Sequence, residues 1–152
     1  MNKRALVSLL LPLAALACGR SEPSPPPPTA AAAPTTTLPR PVFVASVTLG
    51  KELGPDKKVL APMDSFGPKD TLYASVETGG AGKAKLRALW SFVRAGKTAK
   101  VDETTLEIDA NGPAVNEFHV AKPSGWPKGE YKLEIFLDDA PQPAATKSFN
   151  VA

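Results

Sequence analysis

The side chains that could do chemistry are few and scattered. The chain has one histidine, His119, and one cysteine, Cys18. A lone histidine excludes His–His metal pairs, and a lone cysteine excludes an internal disulfide or a cysteine-built zinc site. His119 stands between Phe118 and Val120, which claim the core face of an alternating run, so it is expected on the surface without catalytic partners. The acids Asp102-Glu103, Asp109 and Asp138-Asp139 invite a calcium reading. Calcium wants about six to eight oxygens at defined spacing, so these short groups read as turn and strand-face residues instead. Gly79-Gly80-Ala81-Gly82-Lys83 lacks the order of a phosphate loop and reads as a flexible turn. Lys83, Lys85 and Arg87 alternate along one strand face, with Arg94, Lys97 and Lys100 beyond. This basic cluster suits contact with anionic lipid headgroups or glycans, against the plainer reading of a solvated face. No catalytic residue, metal ligand or cofactor site is assigned, and the protein is expected not to be an enzyme.

Cys18 is distinguished by what precedes it. Lys3 and Arg4 open the chain, and Ala5 to Ala17 is apolar apart from Ser8 and Pro12. That run is short of the roughly 20 residues a bilayer span needs, and it has the form of a secretory signal peptide. It ends Ala14-Ala15-Leu16-Ala17-Cys18, which resembles the bacterial lipobox. An ordinary signal peptide is the alternative, but it leaves the only thiol of an exported chain without a purpose. The resemblance implies a diacylglycerol thioether on Cys18, cleavage between Ala17 and Cys18, and further acylation of the new amine. Residues 1–17 would then be removed. Gly19, where aspartate would retain a lipoprotein at the inner membrane, implies sorting to the outer membrane. The expected location is the cell envelope, on its periplasmic or surface face.

Residues 18–41 form a different material. Eight of the 17 prolines fall here, beside Ala30 to Ala33 and Thr35-Thr36-Thr37. Such a stretch buries too little to offset its chain entropy and is expected to be a disordered tether. In polyproline II geometry, at about 3.1 Å per residue, it would hold a domain roughly 50–70 Å from its anchor. The net charge of +3 is misleading for the same reason. Without Lys3 and Arg4, 16 of the 18 cations face 15 anions, which excludes a nucleic-acid partner drawn in by net charge.

From Val42 onward the pattern alternates with period two. Val42, Val44 and Ser46 are set against Phe43, Ala45 and Val47. Leu72, Ala74 and Val76 share a face, as do Leu106 and Ile108, Phe118 and Val120, and Tyr131, Leu133, Ile135 and Leu137. Phe149 and Val151 close the chain. Phe136 is expected to face outward, as sheet-edge cover or a partner patch. Turn residues separate the runs at Gly96-Lys97, Asn111-Gly112-Pro113, Pro123-Ser124-Gly125 and Asp138-Asp139. Lys85 to Arg94 fits a strand through Leu86, Ala88, Trp90 and Phe92, or a helix through Leu86, Leu89, Trp90 and Val93. The neighbouring strands favour the strand.

Six to eight short strands predict an all-β protein, an antiparallel two-sheet sandwich spanning 42–152. Trp90 in mid-strand, and Trp126-Pro127-Lys128-Gly129-Glu130-Tyr131 leading into a late strand, resemble the immunoglobulin-like and fibronectin-III-like sandwiches. The resemblance implies a tyrosine corner at Tyr131, with Trp126 packed over the sandwich end. It implies no activity, because the fold hosts many. The functional expectation is a lipid-anchored module binding an envelope protein or polymer. A structural accessory subunit of an envelope complex, or a small envelope-polymer hydrolase, is the alternative.

Overall fold

The computed structural model describes residues 40–152. The expectations for the signal peptide at 1–17, for lipidation at Cys18 and for the tether up to residue 39 lie outside them. The described residues form eight strands: β1 (Phe43–Gly50), β2 (Ser65–Phe66), β3 (Leu72–Gly79), β4 (Ala81–Arg94), β5 (Lys97–Asn111), β6 (Ala114–Val120), β7 (Gly129–Leu137) and β8 (Ala145–Val151). One sheet has three strands in the order β1-β3-β6, and the other five in the order β2-β8-β7-β4-β5. All pairings are antiparallel except the two-residue contact of β2 with β8. Leaving the short β2 aside, the first, second and fifth strands form one sheet, and the third, fourth, sixth and seventh the other. That Greek-key arrangement makes the domain an immunoglobulin-like sandwich.

Alternation builds the core where it was expected. Leu72, Ala74 and Val76 on β3 face Leu86, Ala88 and Trp90 on β4 and Leu133 and Ile135 on β7, all at 0% exposure. Full burial of a Leu or Val side chain stabilises by about 1.5–3 kcal/mol, so this double layer dominates the fold. Lys85 to Arg94 is strand, paired on both sides along most of its length. Its hairpin to β5 turns on Ala95 and Gly96, with φ of 49° and 74°. Two successive positive φ angles give the mirror-image turn whose twist matches paired strands.

Two expectations are corrected, and two hold with a change in exposure. In β1 an extra residue, Ala45, bulges from the pairing with β3. The bulge shifts the phase by one, so Val44 and Val47 both pack on the core rather than on opposite faces. Gly79 to Lys83 is no flexible turn: β3 ends at Gly79 and β4 starts at Ala81. Gly80 (φ 91°) is the corner where the chain changes sheet, and a side chain there would strike the Pro41 carbonyl. Leu106 and Ile108 do share a face, but Leu106 stays 37% exposed on β5, the edge strand of its sheet. Phe136 points outward as expected, yet only 8% of it is exposed. The Arg87 guanidinium lies 4.1 Å from its ring centroid and covers it.

Candidate interaction surface

The exposed chemistry gathers in two places, the outer face of β4 and β5 and the loop end beside β7. Cross-strand register builds the first. Lys83 stands opposite Asp109, Lys85 opposite Glu107, and Arg87 opposite Thr105 and Phe136. Arg87 also approaches Glu103 at 3.7 Å, and Lys100 meets the other Glu103 oxygen at 3.2 Å. A guanidinium on an aromatic face keeps its charge while its plane shields the ring, so Arg87 is tied to the sheet. The basic cluster expected at Lys83, Lys85 and Arg87 is therefore interleaved with acids of β5. The surface is of mixed sign, and it is not the single-sign field that steers anionic partners from a distance.

Asp138 closes this face. The Lys85 N–H donates to its carboxylate at 2.9 Å, and its own N–H donates to the Lys85 carbonyl at 2.7 Å. The carboxylate thus continues the ladder where β7 ends, and the φ of 54° at Asp138 turns the chain away. An open groove of about 450 Å³ lies beside it, lined by Lys83, Lys85, Glu107 and Asp109. Among the described residues no three His, Cys, Asp or Glu side chains gather as a metal site would require. Asp139, Asp102 and Asp109 stand apart from one another along the strands and turns. His119 is exposed on the outer face of the small sheet, its ring 5.8 Å from that of Tyr73 opposite.

The second place is the corner leading into β7. The Tyr131 hydroxyl donates to the Pro127 carbonyl at 2.7 Å, as a tyrosine corner does. Burial pushes its phenol above the ordinary value. The Trp126 ring meets Tyr131 edge-on at 5.4 Å, and its indole N–H donates to the Asp70 carbonyl at 3.0 Å. Asp70 in turn accepts from the Gly67 N–H and pairs with Lys51, both at 2.6 Å. The Lys51 hydrogen bond first, then that of Gly67, hold its carboxyl below the usual range. Gly129 is required at the corner, because a side chain there would strike the Phe92 ring.

Sequence reasoning missed Asp70 and Lys51, and also Glu77, which accepts from Ser46 at 2.8 Å and Lys58 at 2.7 Å. These partners lie far apart in the chain, on different strands and loops, so no local signal marked them.

No family model and no curated protein matches the sequence. Solved structures do. A β-glucosidase from Erythrobacter marinus aligns with a TM-score of 0.50 and 12% identity, over 73% of this chain and 15% of the enzyme. An immunoglobulin-like protein from Pseudomonas aeruginosa gives a TM-score of 0.49 and 16% identity, over 74% of this chain and 98% of its own. A β-D-glucoside glucohydrolase from Trichoderma reesei gives 0.45 and 12%, over 73% of this chain and 19% of the enzyme. The chain spans less than a fifth of either glycosidase. At such identities the likeness is one of fold alone.

Proposed function

We propose that this protein is a bacterial envelope lipoprotein that displays an immunoglobulin-like, non-enzymatic binding module on a proline-rich tether. One observation carries the reading: the only cysteine of the chain ends Ala14-Ala15-Leu16-Ala17-Cys18, directly after a charged start and a short apolar run. Lipid on Cys18 anchors the mature chain, since two or three acyl chains hold where a single chain is marginal. Sorting to the outer membrane follows from Gly19. The tether then presents the sandwich to a protein or polymer of the envelope.

The exposed polar groups support binding over catalysis. Arg87, Glu103 and Asp138 are spent on covering and joining strands. His119 has an aromatic neighbour where a general base would need an orienting acid. Cells fed labelled palmitate should label the wild-type protein and not Cys18→Ser, since serine forms no thioether. Equal labelling of the two would sink the anchor and with it this reading.

A further inference from the structure

Cations on the β4–β5 hairpin are matched by acids along most of its length. Lys83 stands opposite Asp109 and Lys85 opposite Glu107, while Arg87 and Lys100 share Glu103. At the tip the matching stops. Arg94 stands directly opposite Lys97, the last pair before the Ala95-Gly96 turn. Like charges set opposite one another across a strand pair destabilise it. Both side chains are exposed, and among the described residues neither belongs to an ion pair. The β4–β7 register, continued past Val93 and Glu130, sets the cation of Lys128 opposite Ala95. The acid nearest by register is Glu130, opposite Val93. Alternation puts those two on the outer face, and Arg94 and Lys97 on the face of Phe92 and Ala99. The turn itself needs neither cation, because its geometry rests on the positive φ of Ala95 and Gly96.

An open groove of about 540 Å³ runs beside the pair, lined by Phe92, Arg94, Lys97 and Ala99. Phe92 is half-buried there, tilted against Tyr131 with 4.9 Å between ring centroids. The groove thus joins an aromatic side chain to two cations. A sugar packs its C–H face on an aromatic ring, and a carboxylate or phosphate on that sugar meets the cations. The planar guanidinium of Arg94 suits either anion with paired hydrogen bonds. Among the described residues the exposed large apolar side chains are Phe43, Leu60 and Leu106, none of them at the tip. The apolar centre of a stable protein interface is therefore missing.

Position points the same way. The Ala81 N–H, at the start of β4, donates to the carbonyl of Arg40, where the chain enters the domain. Arg94 ends the same strand about 43 Å away, from a rise of about 3.3 Å per residue. The groove sits at the end remote from the tether, which favours a polymer over the anchoring membrane. We propose that the hairpin tip binds an anionic glycan, with its acidic groups on Arg94 and Lys97 and a sugar ring on Phe92. The proposal rests on the binding-module reading and names its class of polymer. It moves the anionic contact expected at Lys83, Lys85 and Arg87 to the tip of the same hairpin.

The test uses the full chain with Cys18→Ser, titrated by calorimetry with polygalacturonate, a carboxylated glycan, and with phosphomannan, a phosphorylated one. At least one should bind with a dissociation constant of about 1 mM or tighter. Arg94→Gln with Lys97→Gln should weaken that binding about fivefold to tenfold, the worth of two exposed charge contacts. Lys83→Gln with Lys85→Gln removes the same charge where acids already match it, and should change binding by less than about twofold. All four side chains are exposed, so both double variants should keep the wild-type circular dichroism. Equal losses in the two double variants would reduce the effect to net charge and overturn the proposal. Failure of both glycans to bind would overturn it too, as would equally tight binding of neutral dextran. Polyglutamate or phosphatidylglycerol vesicles binding as tightly as either glycan would give the tip to an acidic protein or a lipid surface instead. Cys18 takes no part in these titrations, so they and the palmitate labelling can fail independently.

Discussion

Strands β5 and β7 flank the same strand, β4, and carry the same apolar alternation, yet one is core and the other rim. On β7, Tyr131, Leu133 and Ile135 are at most 1% exposed. On β5, Leu106 is 37% exposed. The difference lies outside both sequences. β7 has β8 on its other side, whereas β5 is the edge strand of its sheet and leaves Leu106 outside the core that Val101 and Ile108 still touch. Period-two patterning states that two faces differ, and only the opposing sheet decides how wet the apolar face is.

The largest effect that sharpens this contrast belongs to Tyr131. Its ring stacks on Phe149 at 5.3 Å and meets Trp126 and Phe92, while its hydroxyl closes the corner. Tyr131→Ala should cost about 3–5 kcal/mol in urea melts, the range for large aromatic truncations. Tyr131→Phe keeps the ring and should cost about 1–2 kcal/mol, the worth of one buried hydrogen bond. Should the two variants melt alike, the corner would owe nothing to packing, and the contrast with β5 would fail.

What was legible follows from the same physics. The inward faces of β3, β4 and β7 could be read because unbroken alternation over a covered strand maps directly to burial. The tyrosine corner could be read because its proline, glycine and tyrosine fall within a few residues. The phase of β1 could not, since Ala45 bulges without a glycine or proline to mark it. Nor could the first half of β5, where Lys97 to Lys100 shows no apolar alternation and the strand exists because the Ala95-Gly96 turn folds it onto β4. The burial of Phe136 depends on Arg87, and the ties that hold Asp70 run to Lys51 and Gly67, partners joined by the fold and not by spacing.

The corner beside β7 is also braced by a titratable group, since Trp126 bonds to Asp70. Because the Asp70 carboxyl sits below its usual range, the folded chain binds fewer protons there than the unfolded chain. Its stabilisation is complete above the unfolded value of about 3.9 and is lost as pH falls through the depressed folded value. Glu77, held down first by its hydrogen bond from Lys58, adds to the loss with the same sign. Asp70→Asn should lower stability at neutral pH and flatten the acid limb of a stability–pH curve. An acid limb as steep as that of the wild type would assign the titration to other groups.

The smallest effect is the most pointed test of the comparison. Leu133→Ala and Leu106→Ala remove the same atoms from strands on either side of β4. At Leu133, with 0% exposure, the loss combines transfer and cavity terms and should reach about 2–5 kcal/mol. At Leu106 the missing methyls leave a surface that water already touches, so no cavity forms. The only terms left are partial burial and a weaker strand propensity, and the cost should stay at about 1 kcal/mol. Both variants should be melted under the same conditions. If Leu106→Ala then cost more than about 2 kcal/mol, in the range of a buried leucine, this edge would be covered in solution. The rim of the larger sheet would then be a second part of the core, and the difference between β5 and β7 would be one of degree.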